Sequence, residues 1–138
     1  MDLWDGIRRQ KRFSIPDIDF DIVTKLPLSL LPPSFLVETA RALHSGNAKY
    51  SPWDWRTGEP VSYSAVLDSI LRHLVLLQAG EDRAQDSGVM HAGHISGQVA
   101  KLLDALSVGN VVDDRPRLPT KALDDLRDSL NIRPSEQA

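Results

Sequence analysis

The chain contains no cysteine among its 138 residues. Disulfides, thiolate zinc sites and cysteine nucleophiles are thereby excluded, and a reducing compartment suits the composition. Nor does it hold an apolar run long enough to span a bilayer. Its first residues carry Asp2 and Asp5 where a secretory leader needs an apolar stretch. Both absences lead to the expectation of a cytoplasmic protein without membrane contact. A cationic field is missing too: 16 Lys+Arg stand against 19 Asp+Glu, a net charge of -3, so duplex nucleic acid is not an expected partner. The one basic run, Arg8, Arg9, Lys11 and Arg12, is followed by Asp17, Asp19 and Asp21 and reads as a solvated arm. There is no glycine-rich phosphate loop and no Gly-x-Ser-x-Gly elbow.

What remains is an ordinary globular composition, 41% hydrophobic and 25% charged, in a length that suits one domain. The pattern predicts a mainly α protein, a small bundle of about four helices with an extended N-terminal arm. Residues 1–26 form the arm, where Ile18, Phe20 and Ile22 alternate with three aspartates and no second strand is available for pairing. Residues 27–108 form the helical core, and 109–138 a C-terminal linker and helix packing on that core. A first helix is expected from about Pro33-Ser34 to the stop at Gly46-Asn47, with Leu36, Val37, Ala40 and Leu43 as its apolar stripe. A second, N-capped by Ser62 and ended by Gly80, buries Tyr63, Val66, Leu67, Ile70, Leu71, Leu74 and Leu77. A third runs from about Gly88 to Ser107 with Ile95, Val99, Leu102, Leu103 and Leu106 as its core side, antiparallel to the second. Thr120 is expected to cap a final helix carrying Leu123, Leu126 and Leu130.

Two groups of residues carry possible chemistry. His91 and His94 are three apart and so project from one side of the third helix, beside Glu81, Asp82 and Asp86 and near His73 at the end of the second. Imidazoles and carboxylates converging there suit a divalent cation, a proton relay or a nucleotide, and the backbone N–H groups at the helix start suit a phosphate. The bland counterpart is capping and dipole pairing of the acidic residues. The second group is the loop Lys49 to Arg56, where Tyr50, Trp53 and Trp55 offer flat faces and Lys49 and Arg56 offer charge, a combination that sandwiches a base. Its bland counterpart is a tryptophan plug between the first two helices.

Several small motifs recur in a fixed order: Pro27-Leu28-Ser29-Leu30-Leu31-Pro32-Pro33, Gly46-Asn47-Ala48-Lys49-Tyr50, Trp53-Asp54-Trp55-Arg56, Leu71-Arg72-His73-Leu74, Gly80-Glu81-Asp82, Asp86-Ser87-Gly88 and His91-x-x-His94. This series resembles the phage dATP/dGTP diphosphohydrolase N-terminal domain family over residues 27–107. The resemblance implies a phage or prophage origin, a small helical fold and a role in nucleotide metabolism. It carries over a nucleotide site of Lys49, Tyr50, Trp53, Trp55, Arg56, Arg72, His73 and His94, catalytic roles for Glu81, Asp82 and His91, and magnesium or manganese held by Glu81, Asp82, Asp86 and His91. Longer members join this module to a MazG-like domain that holds magnesium through Glu-x-x-Glu and Glu-x-x-Asp pairs, and this chain has no such pairs.

Three functions follow as expectations. One is a metal-dependent pyrophosphohydrolase that binds a purine deoxynucleotide and cleaves it to monophosphate and pyrophosphate. Another is a non-catalytic module that binds or sequesters a nucleotide, as a host-defence signal or an accessory domain. The third is a structural protein that assembles with copies of itself, a homo-oligomer being the expectation by analogy.

Overall fold

The computed structural model describes residues 25–132. The expected arm over 1–26 lies outside the described residues except for Lys25 and Leu26. A 3-10 turn at Leu28–Leu30 precedes five α-helices: α1 (Pro33–Gly46), α2 (Asp54–Thr57), α3 (Tyr63–Gln78), α4 (His91–Ser107) and α5 (Thr120–Ser129). The mainly α expectation therefore holds. The described residues divide into two compact units, Ser29–Arg117 and a second that holds residues 25–28 and 118–132. No described helix is long and apolar enough to cross a membrane.

Local chemistry sets the helix ends in the first unit. Pro33 stands at the first position of α1, where its missing N–H costs nothing. Ser62 caps α3 as expected, its hydroxyl accepting the Ala65 N–H at 3.2 Å. At the other end Gly80, at φ 102, turns the chain back so that the Glu81 N–H reaches the Leu76 carbonyl at 3.0 Å and the Gly80 N–H that of Leu77 at 3.1 Å. A β-carbon disfavours that left-handed turn, which is why glycine ends the helix there. Gly109 repeats the arrangement after α4, with the Asn110 N–H on the Ala105 carbonyl.

Helix α4 is the centre of this unit, with α1 on one side and α3 on the other. Its contact with α1 is made by small residues. A β-carbon on Gly93 would stand 2.8 Å from the Glu38 carbonyl oxygen, and one on Gly97 3.1 Å from the Ala42 methyl. Both sequence numbers ascend together, so α1 and α4 run parallel. Between the two glycines, the Thr39 and Ser96 hydroxyls are 2.7 Å apart, and Ser96 also donates to the Gly93 carbonyl. The α1 face that is buried is accordingly Thr39 and Ala42, not the expected stripe, since Leu36 and Val37 remain 52% and 47% exposed.

The same correction applies to α3 and α4. Val66 is the one buried residue of α3, while Leu67, Leu71 and Leu74 are open; on α4, Val99, Leu103 and Leu106 are open. Periodicity locates an apolar stripe without revealing whether anything covers it. Two boundaries also shift. Helix α4 starts at His91 instead of Gly88, because residues 81–90 form a pinned loop with an Arg83–Met90 bridge and Gly88 at φ 72. Residues 111–112, expected as irregular, form β2 (Val111–Val112), which pairs in parallel with β1 (Val61–Ser62), Val61 opposite Val111. The following residues tie down the start of α3: Asp114 accepts the Ser64 N–H at 2.9 Å and its hydroxyl, and the Arg115 guanidinium lies 3.8 Å over the Tyr63 ring.

In the second unit α5 begins at Thr120 with Pro119 as its N-cap, so Thr120 is the first helical residue and not the cap. Asn131 at φ 56 closes it, the Ile132 N–H reaching the Arg127 carbonyl at 2.8 Å. Leu123, Leu126 and Leu130 are 38–61% exposed.

Candidate functional site

The turn after α3 and the loop that follows bring three histidines together. Glu81 emerges from the Gly80 turn with its Oε1 2.8 Å from Nε2 of His91. His91 is 1% exposed, the largest fully buried side chain among the described residues. Its backbone N–H donates to the Asp82 carbonyl at 2.9 Å, which locks the loop to the helix start. On its other side, Nδ1 of His91 is 2.8 Å from Nδ1 of His73. The His73 ring stacks on His94, centroids 4.4 Å apart and planes 11° from parallel. His94 completes the series through Nε2, 2.8 Å from the Ser87 hydroxyl, which also accepts the Val89 N–H at 3.2 Å.

The 2.8 Å contact between the two rings requires a proton on one Nδ1 and a lone pair on the other. Burial lowers the His73 pKa, helped by the neighbouring His94, His91 and Arg72 and opposed by Asp86. His94 is lowered by burial as well, with His91 and Lys101 adding to it and Asp86 opposing. Both rings are therefore neutral at pH 7 and hold proton-accepting nitrogens.

The four residues expected to share a cation do not converge as ligands. At 2.8 Å, Nε2 of His91 and Oε1 of Glu81 are in direct hydrogen-bond contact, which engages the ring nitrogen with the carboxylate. Asp82 engages through its backbone carbonyl, and Asp82 and Asp86 are both exposed. Among the described residues no group of three His, Asp or Glu side chains is placed to hold a metal ion.

Beside His94 opens a cavity of about 460 Å³, walled by the end of α1, the loop 47–59, α3 and α4. Its size is that of a small-ligand site. Five of the expected nucleotide residues line it: Lys49, Tyr50, Trp55, Arg72 and His94. His73 stands behind His94 and does not reach the lining, nor do the first-turn amides of α4. Trp53 and Arg56 are also outside it. They hold the loop instead. Trp53 adopts φ 64, an unfavourable backbone for a bulky residue, with its ring 5.4 Å from Trp55 and 4.3 Å beneath the Arg56 guanidinium. Arg56 and the Trp55 Nε1–H both donate to Asp104 of α4, at 2.6–2.8 Å. These bonds, Arg56 first and Trp55 next, lower the Asp104 carboxyl to about 2. Asn110 adds a clamp by donating to the Trp55 and Gly58 carbonyls.

The cavity also recruits residues that were not expected at the site: Lys101 and Gln98 of α4, Asn47, Asp54, Glu59 and Ser69. Lys101 is half-buried, burial lowers its pKa, and among the described residues it has no carboxylate partner. A usable signal existed. His94, Gln98 and Lys101 are spaced four and three apart, a single polar face on a helix whose other side is apolar.

The cavity has two ends. Trp55, bonded to Asp104, lies toward the C-terminal end of α4, and Tyr50 follows the end of α1; Arg72 and His94 lie near the opposite end. From His94 to Lys101 the helix advances ~10 Å at ~1.5 Å per residue.

Residues 20–115 match the family model described as dATP/dGTP diphosphohydrolase, N-terminal. The dATP/dGTP diphosphohydrolase of Salmonella phage PMBT28 is 32% identical over 91 residues, which are 66% of this chain and 30% of that protein. The chain thus spans less than a third of the relative's length. No solved structure matches the chain. Sequence motifs and family match agree, and the chain belongs to the dATP/dGTP diphosphohydrolase N-terminal family.

Proposed function

We propose that the cavity binds a purine deoxynucleoside triphosphate, with the base against Trp55 and Tyr50, the phosphates toward Arg72 and His94, and Lys101 reaching toward them from the Trp55 end. The carrying observation is the lining itself: three cations, two aromatic rings and a neutral imidazole around about 460 Å³. Polyphosphate compensates the partial burial of the Lys101 charge and pairs with the exposed Arg72 guanidinium, and a π-face accepts either purine. The substrate named for the phage relative, dATP or dGTP, fits the same chemistry. The protein would act in the cytoplasm of the phage's host, on the nucleotide pool.

A second reading adds turnover. The Glu81–His91–His73 line backs His94, the imidazole that lines the cavity and would take the proton from water as it attacks the α-phosphorus; the bond from the α-phosphorus to the bridging oxygen breaks, giving monophosphate and pyrophosphate. Magnesium or manganese would arrive with the triphosphate.

Thermal shift with each dNTP, with and without magnesium or manganese, tests binding, and release of monophosphate and pyrophosphate tests turnover. Purine triphosphates are expected to raise the melting temperature, and Arg72→Ala to abolish the rise. An unchanged rise in a folded Arg72→Ala protein refutes the cavity assignment. Product formation that survives Glu81→Ala and His91→Ala, with folding intact, refutes the second reading.

A further inference from the structure

The cavity holds charges of both signs that do not meet. Among the described residues, its cations Lys49, Arg72 and Lys101 form no ion pair with its carboxylates Asp54 and Glu59. The cations suit phosphate. The carboxylates repel it, and so need a ligand group that donates hydrogen bonds. Asp54 is the better placed of the two. It is half-buried where Glu59 is exposed, and it directly precedes Trp55, the ring at the end of the cavity remote from Arg72 and His94. The turn that closes α2 seats its carboxylate. The Gly58 N–H donates to the Asp54 carbonyl at 2.7 Å, and a β-carbon on Gly58 would stand 2.9 Å from the Asp54 carboxyl carbon. Only a residue without a side chain closes this turn and leaves the carboxylate where it is.

We propose that Asp54 reads the base-pairing edge of the bound purine and makes the site selective for guanine over adenine. The assignment rests on the nucleotide reading of the same cavity. Guanine presents two adjacent donors on that edge, N1–H and the N2 amino group, spaced for the two oxygens of one carboxylate. Adenine presents the N1 lone pair beside its N6 amino group, so an acceptor would face an acceptor. Cytosine and thymine likewise set an acceptor next to their one donor group. Stacking on Trp55 and Tyr50 takes either purine, so the choice between them falls to the group at the base edge.

Calorimetric titration of the full chain with dGTP, dATP and deoxyinosine triphosphate tests it, in the wild type, Asp54→Asn and Glu59→Gln. Deoxyinosine triphosphate keeps N1–H and lacks the N2 amino group. The wild type is expected to bind dGTP at least ~10-fold more tightly than dATP, with deoxyinosine triphosphate between them. Asp54→Asn keeps the shape but pairs an acceptor with a donor, which suits adenine, so dATP should then bind at least as tightly as dGTP. Glu59→Gln should keep the guanine preference. Two wild-type results overturn the assignment without any variant having to fold: dATP binding as tightly as dGTP, or deoxyinosine triphosphate doing so. Either leaves the nucleotide site itself in place. A guanine preference that survives in a folded Asp54→Asn protein, or that Glu59→Gln abolishes, also overturns it. Failure of all three nucleotides to bind overturns the assignment and the nucleotide reading together.

Discussion

The close approach of α1 and α4 gives a sharp contrast between two glycines four residues apart. In Gly93→Ala the new methyl carbon meets the Glu38 carbonyl oxygen at 2.8 Å and the Glu38 carbonyl carbon at 3.3 Å. Those are backbone atoms, which cannot swing aside, so the helices must separate by several tenths of an ångström. Overpacking of this kind costs ~1–3 kcal/mol, and alanine returns at most ~1 kcal/mol of helix propensity, less near a helix start. The expected net loss is ~1–2 kcal/mol. In Gly97→Ala the nearest atom is the Ala42 methyl at 3.1 Å, followed by contacts at 3.9 Å. There the propensity gain of ~1 kcal/mol roughly offsets a mild contact, and the change should lie within ~0.5 kcal/mol of zero. Urea unfolding followed by circular dichroism reads both. The reasoning fails if Gly93→Ala is as stable as the parent, or if Gly97→Ala is the more damaging of the two. Because Gly97 and Ala42 also line the cavity, the measurement reports on its wall.

Three further outcomes are expected. His73 and His94 have folded pKa values below 6.5, so the unfolded chain binds more protons, and folding stability should fall as pH drops from 6.5 toward the folded values. Triphosphate affinity should move the other way and strengthen over the same range, since phosphate favours the imidazolium; urea midpoints and binding isotherms one pH unit either side of 6.5 check both signs. Asp104→Ala releases the Trp55 N–H and the Arg56 guanidinium, so tryptophan emission should shift to the red. In the parent the carboxylate's support is complete above 3.8 and lost as pH falls toward about 2, which fluorescence-monitored acid titration will locate. Lys101→Met should leave stability unchanged or raise it by up to ~1 kcal/mol, by removing a half-buried charge, while weakening triphosphate binding at least tenfold, ~1.4 kcal/mol; calorimetry and denaturation read the two separately.

The ends of α1 and α3 were legible because Pro33, Ser62 and Gly80 each satisfy or terminate backbone bonds on their own, whereas the start of α4 is set by the pinned loop before it. Which side of a helix is buried was not legible, because it depends on the partner. The α1–α4 contact is made by Gly93, Gly97, Ala42 and Thr39, residues too small to mark a hydrophobic stripe. The β1–β2 pair is two residues a side, too short for alternation to show. At the site, the histidines and Glu81 stood out by type and spacing, and they do meet. Lys101 did not stand out, since a lysine on an amphipathic helix ordinarily faces water. Trp53 and Arg56 have the composition of a base sandwich but are drawn to each other and to Asp104, which no local pattern could reveal.

The nucleotide site itself is most directly tested by calorimetric titration of the wild type, Arg72→Ala and Lys101→Met proteins with dATP and dGTP. Saturable binding at one site per chain in the wild type, weakened at least tenfold (~1.4 kcal/mol) in both variants while their helical signal is kept, is the expected result. No heat of binding in the wild type, or equal affinity in all three proteins, would contradict it.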